Sequence, residues 1–402
     1  MFFGASFDCA TVPSAKCAAS VAASAAHIKE SDEYWSSGAE VGADRSAADE
    51  AAAGRALAED FGVPPEEHAL KLLGMGVRVD WLVSFTFAHG CWDWPTWRVV
   101  RDVIKPATIE RRCRYAQLAD VQPYTGPARV FMSHCWGAPW GDLVLSAAHG
   151  AQTDRLVWID IFAVRQWPGN AADLDFRGVV SKCNAVVVSV STLPGLTSFG
   201  IGDGHAEWLA SAEGAAAKKA VAFFRLWCVV ELATAVQFGI DVIVKVGVAR
   251  LQGGARIYDV SGGEFVLSNL LPMVNVESAE CTVGADYARE MKIVRDTVGV
   301  SKVNDLAKGV IRGGLAATAM RMAEVDAAVC GDSEALTSIP ANRIVEAIKA
   351  AAAGGRMQVL KALASRAPLD MLQRRDLEGF AMFLRSKQPD AAQILQAMLT
   401  NQ

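Results

Sequence analysis

Residues 129–133 read Arg-Val-Phe-Met-Ser, residues 156–160 Leu-Val-Trp-Ile-Asp, residues 185–190 Ala-Val-Val-Val-Ser-Val and residues 241–246 Asp-Val-Ile-Val-Lys-Val. Three of these four apolar runs show little polar alternation, as strands buried on both faces of a parallel sheet do. The intervening stretches 134–155, 161–184 and 191–240 are too long for hairpins and long enough for parallel crossovers. Helical segments fit inside each, at about 141–150, 173–183 and 220–237, and Gly239 stops the last one before its strand. The pattern βαβαβαβ predicts an α/β fold over 125–250, a doubly wound, flavodoxin-like parallel sheet of about four to five strands.

Outward from that core the composition changes. The third connection carries a polar, Gly-rich insert, Pro194 to Lys219, read as a surface loop. Upstream, residues 61–124 read as a helical lead-in that packs on the α/β domain. Its helical signals lie at Glu66–Leu73 and Thr96–Ile104, around an aromatic cluster of Trp81, Phe85, Phe87, Trp92, Trp94 and Trp97. Residues 1–60, rich in Ala and Ser, read as a disordered segment with some transit-peptide flavour but no Arg in the first 26 residues. Downstream, 251–284 is a connector with turns at Gln252-Gly-Gly and Ser261-Gly-Gly, and 285–402 looks helical. Within it Glu346–Leu363 resembles the helical half of an ankyrin repeat, without that repeat's Thr-Pro-Leu-His start. An Ala-rich helical hairpin is the alternative.

The whole chain has 402 residues, 52% hydrophobic and 21% charged, with a formal net charge of -5. No basic surplus is available to neutralise a nucleic-acid backbone, so nucleic-acid binding is not expected. Nine cysteines without a CxxC pair read as a reduced, cytoplasmic chain rather than a disulfide framework. The most apolar stretch, 220–246, carries Arg225, Glu231, Asp241 and Lys245, so no membrane span is expected. His89, Cys91, Cys113, His134 and Cys135 match no zinc-finger spacing, and no metal is expected. The common phosphate-loop, dinucleotide and serine-hydrolase motifs are absent.

In a doubly wound sheet ligands bind beyond the carboxyl ends of the strands. Here those ends present Ser133, His134, Cys135 and Trp136, then Asp160 and Phe162, then Ser189 and Ser191. On the last crossover helix Trp227 and Glu231 stand four apart and share a face, and a carboxylate in so apolar a helix is costly unless paired or functional. Cys228, one residue past Trp227, reads as core. Asp160 caps its loop through backbone amides, orients the Arg165–Gln166 loop or holds a substrate hydroxyl, and Asp173 and Asp175 read as helix caps.

The order FMSHCWG, VWIDIFAVRQ, NAVVVSVS and RLWCVVELATA resembles the shared core of TIR and fungal heterokaryon-incompatibility domains. Ser133, Trp136, Gly137, Trp158, Ile159, Asp160, Gln166, Arg225, Trp227 and Glu231 match the latter, and Trp227, Cys228 and Glu231 match the Trp-Cys-x-x-Glu helix of the former. The resemblance implies an intracellular signalling or defence protein that self-associates, has no cofactor, and cleaves NAD as substrate, with Glu231 as the catalytic carboxylate. Ser133, Trp136, Trp140, Asp160 and Trp227 would line the substrate site, Trp136 or Trp140 stacking on nicotinamide. The alternatives are a non-enzymatic interaction module, with protein partners on the C-terminal helices, and a Glu231 that merely pairs with Arg225 or Lys182.

Overall fold

The computed structural model describes residues 63–167, 170–192, 204–281, 284–318, 320–332, 334–366, 369–386 and 388–401. The expectation for residues 1–60 lies outside them, as do residues 194–203 of the insert.

The four apolar runs become β3 (Val130–Ser133), β4 (Leu156–Trp158), β5 (Ala185–Val190) and β6 (Asp241–Val246), which lie side by side in the order β4-β3-β5-β6, all parallel. The chain runs from β3 outward to β4, returns across β3 to β5, and continues to β6. The direction of winding therefore reverses between β3 and β5. Alternate side chains face two separate cores. Val130, Met132, Val187 and Ile243 pack under the helix Trp140–Ala148, while Phe131, Val186, Val188 and Val244 pack under the helices Phe176–Val180 and Leu226–Gln237. Helices thus cover both faces, the reason the strands read as apolar without alternation.

Six strands form this sheet, against the four to five expected. The extra pair, β1 (Gly76–Arg78) and β2 (Thr125–Gly126), extends the β4 edge in antiparallel fashion. Most of the lead-in is helical, Pro65–Leu73 and Val79–His89 included, but it also supplies the edge strand β1. Strands of two and three residues carry no readable period. Of the aromatic cluster, Phe85, Trp92 and Trp97 are buried and Phe87 is exposed; Phe85 meets Trp81, Tyr115, Trp140 and Phe162 at ring distances of 5.2–6.3 Å.

Gly239 ends the Leu226–Gln237 helix in the left-handed region, φ +68°. Its N–H bonds Val236 O, and the Ile240 N–H bonds Ala235 O, the paired bonding of a Schellman stop. The described part of the Pro194–Lys219 insert is not loop. It forms the helices His205–Ala210 and Ala212–Ala220. Ser211 caps the second by accepting from Gly214 N, and its Ala-rich run Ala215–Ala217 has high helix propensity.

The connector likewise holds structure, a separate antiparallel hairpin of β7 (Val248–Gln252) and β8 (Ala255–Asp259) followed by the helix Gly263–Met273. The C-terminal region is helical as expected. Ile344–Ala353 and Met357–Ala364 are joined by a tight turn at Gly354 and Gly355. A second helical pair, Met371–Leu384 and Pro389–Asn401, packs on the first, so the hairpin does not stand alone.

The C-terminal region is held to the amino ends of the strands. Arg155, just before β4, forms a buried bidentate pair with Asp332. Asp332 also accepts from Gln152 N. Arg129, before β3, donates to Gly331 O, and Arg356 pairs with Asp241 at the start of β6. No described helix is long and apolar enough to cross a membrane.

Candidate functional site

The opposite, carboxyl ends of β3, β4 and β5 bring Ser133, Asp160 and Glu231 together. The helix start is set by a short bridge in which Leu226 N donates to Glu280 O and Glu280 N to Phe224 O. From there, about one and a half turns of helix carry Glu231 over the end of β3, where Ser133 Oγ donates to its Oε2 at 2.6 Å. Glu231 is 7% exposed, and no cation lies within ion-pair distance of it among the described residues. Arg225, one expected partner, pairs with Glu280 instead, because it lies at the helix start facing the 275–280 segment. Burial pushes the Glu231 carboxyl up to about 8, the Ser133 hydroxyl opposes this, and the Asp160 charge adds to it.

Asp160 is half-buried and caps its own loop. Its Oδ1 accepts from Ile161 N and its Oδ2 from the Trp136 indole N–H, each at 2.7 Å. Gln166 of the matching pattern donates to Val164 O, closing the loop after β4. His134 Nε2 lies 3.8 Å from Asp160 Oδ1 but has no hydrogen-bond partner. Burial holds this imidazole below its usual range and therefore neutral, against the pull of Asp160.

The Trp-Gly of the loop after β3 has a steric reason. A Cβ on Gly137 would stand 2.1 Å from Lys219 O, because the Lys219–Ala220 backbone crosses directly over the loop. Cys135 Sγ donates to the same Lys219 carbonyl and Cys228 Sγ to His134 O. Both thiols are buried, and burial raises both well away from thiolate.

Two of the expected aromatic contacts do not line this site. Trp140 is wholly buried in the lead-in core, its indole N–H on Thr86 Oγ1 at 3.0 Å and its ring against Phe85 and Phe162. It opens a helix whose apolar face is turned to the sheet, so the larger core claims it. Trp227 shares the helix with Glu231 but packs on Phe176 at 4.9 Å, under the Arg289 guanidinium. Trp136, half-buried, remains beside Asp160. A groove in the described surface is walled by Val230, Thr234, Phe238, Ile293 and Val298, and does not include Glu231, Ser133 or Asp160.

Asp175 caps its helix by accepting from Gly178 N at 3.0 Å. Asp173 does not cap. It is fully buried, accepts from Arg165 N, and binds the guanidinium groups of both Arg114 and Arg165. Arg114 lies 59 residues away in sequence, so no local signal announced the pair. Two further residues of the carboxyl edge were not singled out from the sequence, Asp142 in the first turn of the Trp140–Ala148 helix and Tyr258 on β8. Among the described residues no group of three or more His, Cys, Asp or Glu is placed to hold a metal ion.

Comparison of the chain with protein-family models, with curated proteins and with solved structures returned no match.

Proposed function

We propose that the parallel strands form a flavodoxin-like core of the TIR and heterokaryon-incompatibility kind, and that its carboxyl edge cleaves NAD at the nicotinamide–ribose bond in an intracellular signalling or defence protein. One observation carries this reading. Glu231 is a buried carboxyl with no cationic partner among the described residues, placed at the strand ends beside a second acid, Asp160. An uncompensated acid is costly to bury, and the raised affinity for a proton is that cost made visible. A cationic group brought against it, such as the nicotinamide ring of NAD, relieves the cost and draws the proton off.

The chemistry follows from charge. When the glycosidic bond breaks, its electron pair goes to the ring nitrogen and nicotinamide leaves neutral. The ribosyl carbon is left with oxocarbenium character, which an adjacent carboxylate stabilises. Water then supplies the hydroxyl and loses a proton to solvent. Ser133 orients the Glu231 carboxyl, and Asp160, held by the Trp136 indole, adds negative charge at the same rim. The carboxyl lies beneath the surface, so access requires the 134–139 loop to shift.

The test is NAD turnover by purified wild type and Glu231→Gln. Turnover that rises with pH toward 8, and falls about a hundredfold or more in the variant, supports the reading. Wild-type protein that leaves NAD intact, even when concentrated, sinks it.

A second reading, self-association or partner binding through the C-terminal helices, is favoured by a separate observation. Met371, Leu372, Met382 and Phe383 are more than half exposed on one side of the Met371–Leu384 helix. Light scattering of Leu372→Asp/Phe383→Asp against wild type tests it. Loss of oligomers supports it, and a wild type that is monomeric at high concentration and retains no partner argues against it.

A further inference from the structure

A second group of buried polar atoms lies at the same edge of the sheet, outside the Glu231 site. Asp142 is 3% exposed, in the first turn of the helix after β3. Its Oδ1 accepts from Ala249 N at 2.7 Å, but its Oδ2 has no hydrogen-bond partner. Ser191, immediately after β5 and 2% exposed, lies close enough to that carboxyl for its hydroxyl to oppose the upward push of burial, yet its Oγ falls short of good hydrogen-bond geometry. The Tyr258 hydroxyl, on β8, is buried, within electrostatic reach of Asp142, and also without a partner. Three buried hydrogen-bonding groups from three separate elements thus lie together without a completed hydrogen bond of good geometry among Asp142 Oδ2, Ser191 Oγ and Tyr258 Oη. Native proteins rarely tolerate this without a use for it.

The arrangement has a roof and a position. The β7–β8 hairpin is a two-stranded sheet of its own, a unit that is marginal by itself. Its described polar anchors to the rest of the chain include the Ala249 N–H on Asp142 and the Arg256–Asp93 pair at the surface. Tyr258 crosses directly over Gly247, where a Cβ would stand 2.6 Å from the ring, so its hydroxyl is held in place. Asp142 and Ser191 flank the reversal of winding between β3 and β5, where doubly wound sheets take ligands. Their helix packs on the opposite face of the sheet from the Glu231 helix.

We propose that Asp142, Ser191 and Tyr258 form a second binding site, for the vicinal hydroxyls of a sugar, with the β7–β8 hairpin as its movable roof. The donor set selects this class. An ionised carboxylate only accepts, so it requires O–H or N–H donors, while Ser and Tyr hydroxyls both give and accept. A sugar diol supplies two donors for Asp142 Oδ2 and lone pairs for the two hydroxyls. A hard cation would need six or more oxygens, and an anion would be repelled by Asp142. Burial pushes the Asp142 carboxyl up only to about 6, so it is ionised at neutral pH.

Adenosine and 2′,3′-dideoxyadenosine, which lacks the diol, are the probes. Binding is read by calorimetry, and roof closure by hydrogen exchange of residues 248–259. Neither measurement needs NAD turnover, so the result stands apart from the Glu231 chemistry. Adenosine is expected to bind and to slow exchange in the hairpin. Tyr258→Phe and Asp142→Asn, which keep the ring packing and the bond from Ala249 N, each weaken it about tenfold or more. Dideoxyadenosine that binds as tightly as adenosine overturns the proposal. So does wild type that binds no adenosine at about 10 mM, or variants of unchanged Tm that bind it as wild type does.

Discussion

At the amino ends of β4 and β6 the sheet meets the C-terminal region through completed charge pairs, whereas at the carboxyl ends two buried acids have no cation at ion-pair distance among the described residues. Arg155 and Asp332 satisfy each other in the interior, and Asp332 takes a backbone N–H as well. Glu231 has one serine hydroxyl, and Asp142 one backbone N–H. The same sheet thus separates two uses of buried charge. Paired charge fixes where one part of the chain sits on another. Unpaired charge stores a cost that a ligand can release.

The contrast breaks most visibly at the paired end. Asp332→Ala leaves the Arg155 guanidinium buried without its carboxylate, and the expected loss is about 3–5 kcal/mol of stability, read by urea unfolding. A loss below about 1 kcal/mol would mean that the pair does not hold the C-terminal region in place.

At the unpaired end the sign reverses. Folded, Glu231 keeps its proton up to about pH 8; unfolded, it loses it near 4.5. Between those values the folded state binds more protons, so stability falls as pH rises through the window, and the loss is complete above 8. Glu231→Gln keeps the contact with Ser133 but carries no charge. It should gain on the order of 3 kcal/mol at pH 7 and flatten the pH dependence between 4.5 and 8, while losing the proposed activity. A variant less stable than wild type at pH 7 would show that Glu231 is a structural anchor.

The smallest effect belongs to Arg356–Asp241, a pair with one partner partly exposed. Arg356→Ala should cost about 1 kcal/mol and be sensitive to salt. A cost equal to that of Asp332→Ala would erase the distinction between interior and rim pairs.

Much of the core was legible because its signals are local. The β-branched run Val186, Val187 and Val188 needs no partner to be recognised as buried strand, and Gly239 stops its helix by its own backbone freedom. The juxtaposition of Ser133, Asp160 and Glu231 came from strand ends plus resemblance, and the structure places those three at one rim. What was misread depended on competition for space. Trp140 looked as available as Trp136, but the first, opening a helix, was drawn into the lead-in core, while the second, in the loop before it, was left half-exposed. Asp173 had the look of a cap until Arg114 and Arg165 reached it.

The chain's own pattern of hydrophobic and breaking residues determined that there would be parallel strands, helices between them, and an acid on the last crossover helix. These are properties of segments, set by side-chain periodicity and backbone preference within about a dozen residues. Only the tertiary structure decided which charges meet. Arg155 finds Asp332 across 177 positions, and Ser191, Asp142 and Tyr258 converge from a strand end, a helix and a hairpin. Such pairings depend on how whole layers pack and on the distance between side chains in space, and sequence separation carries no term for either.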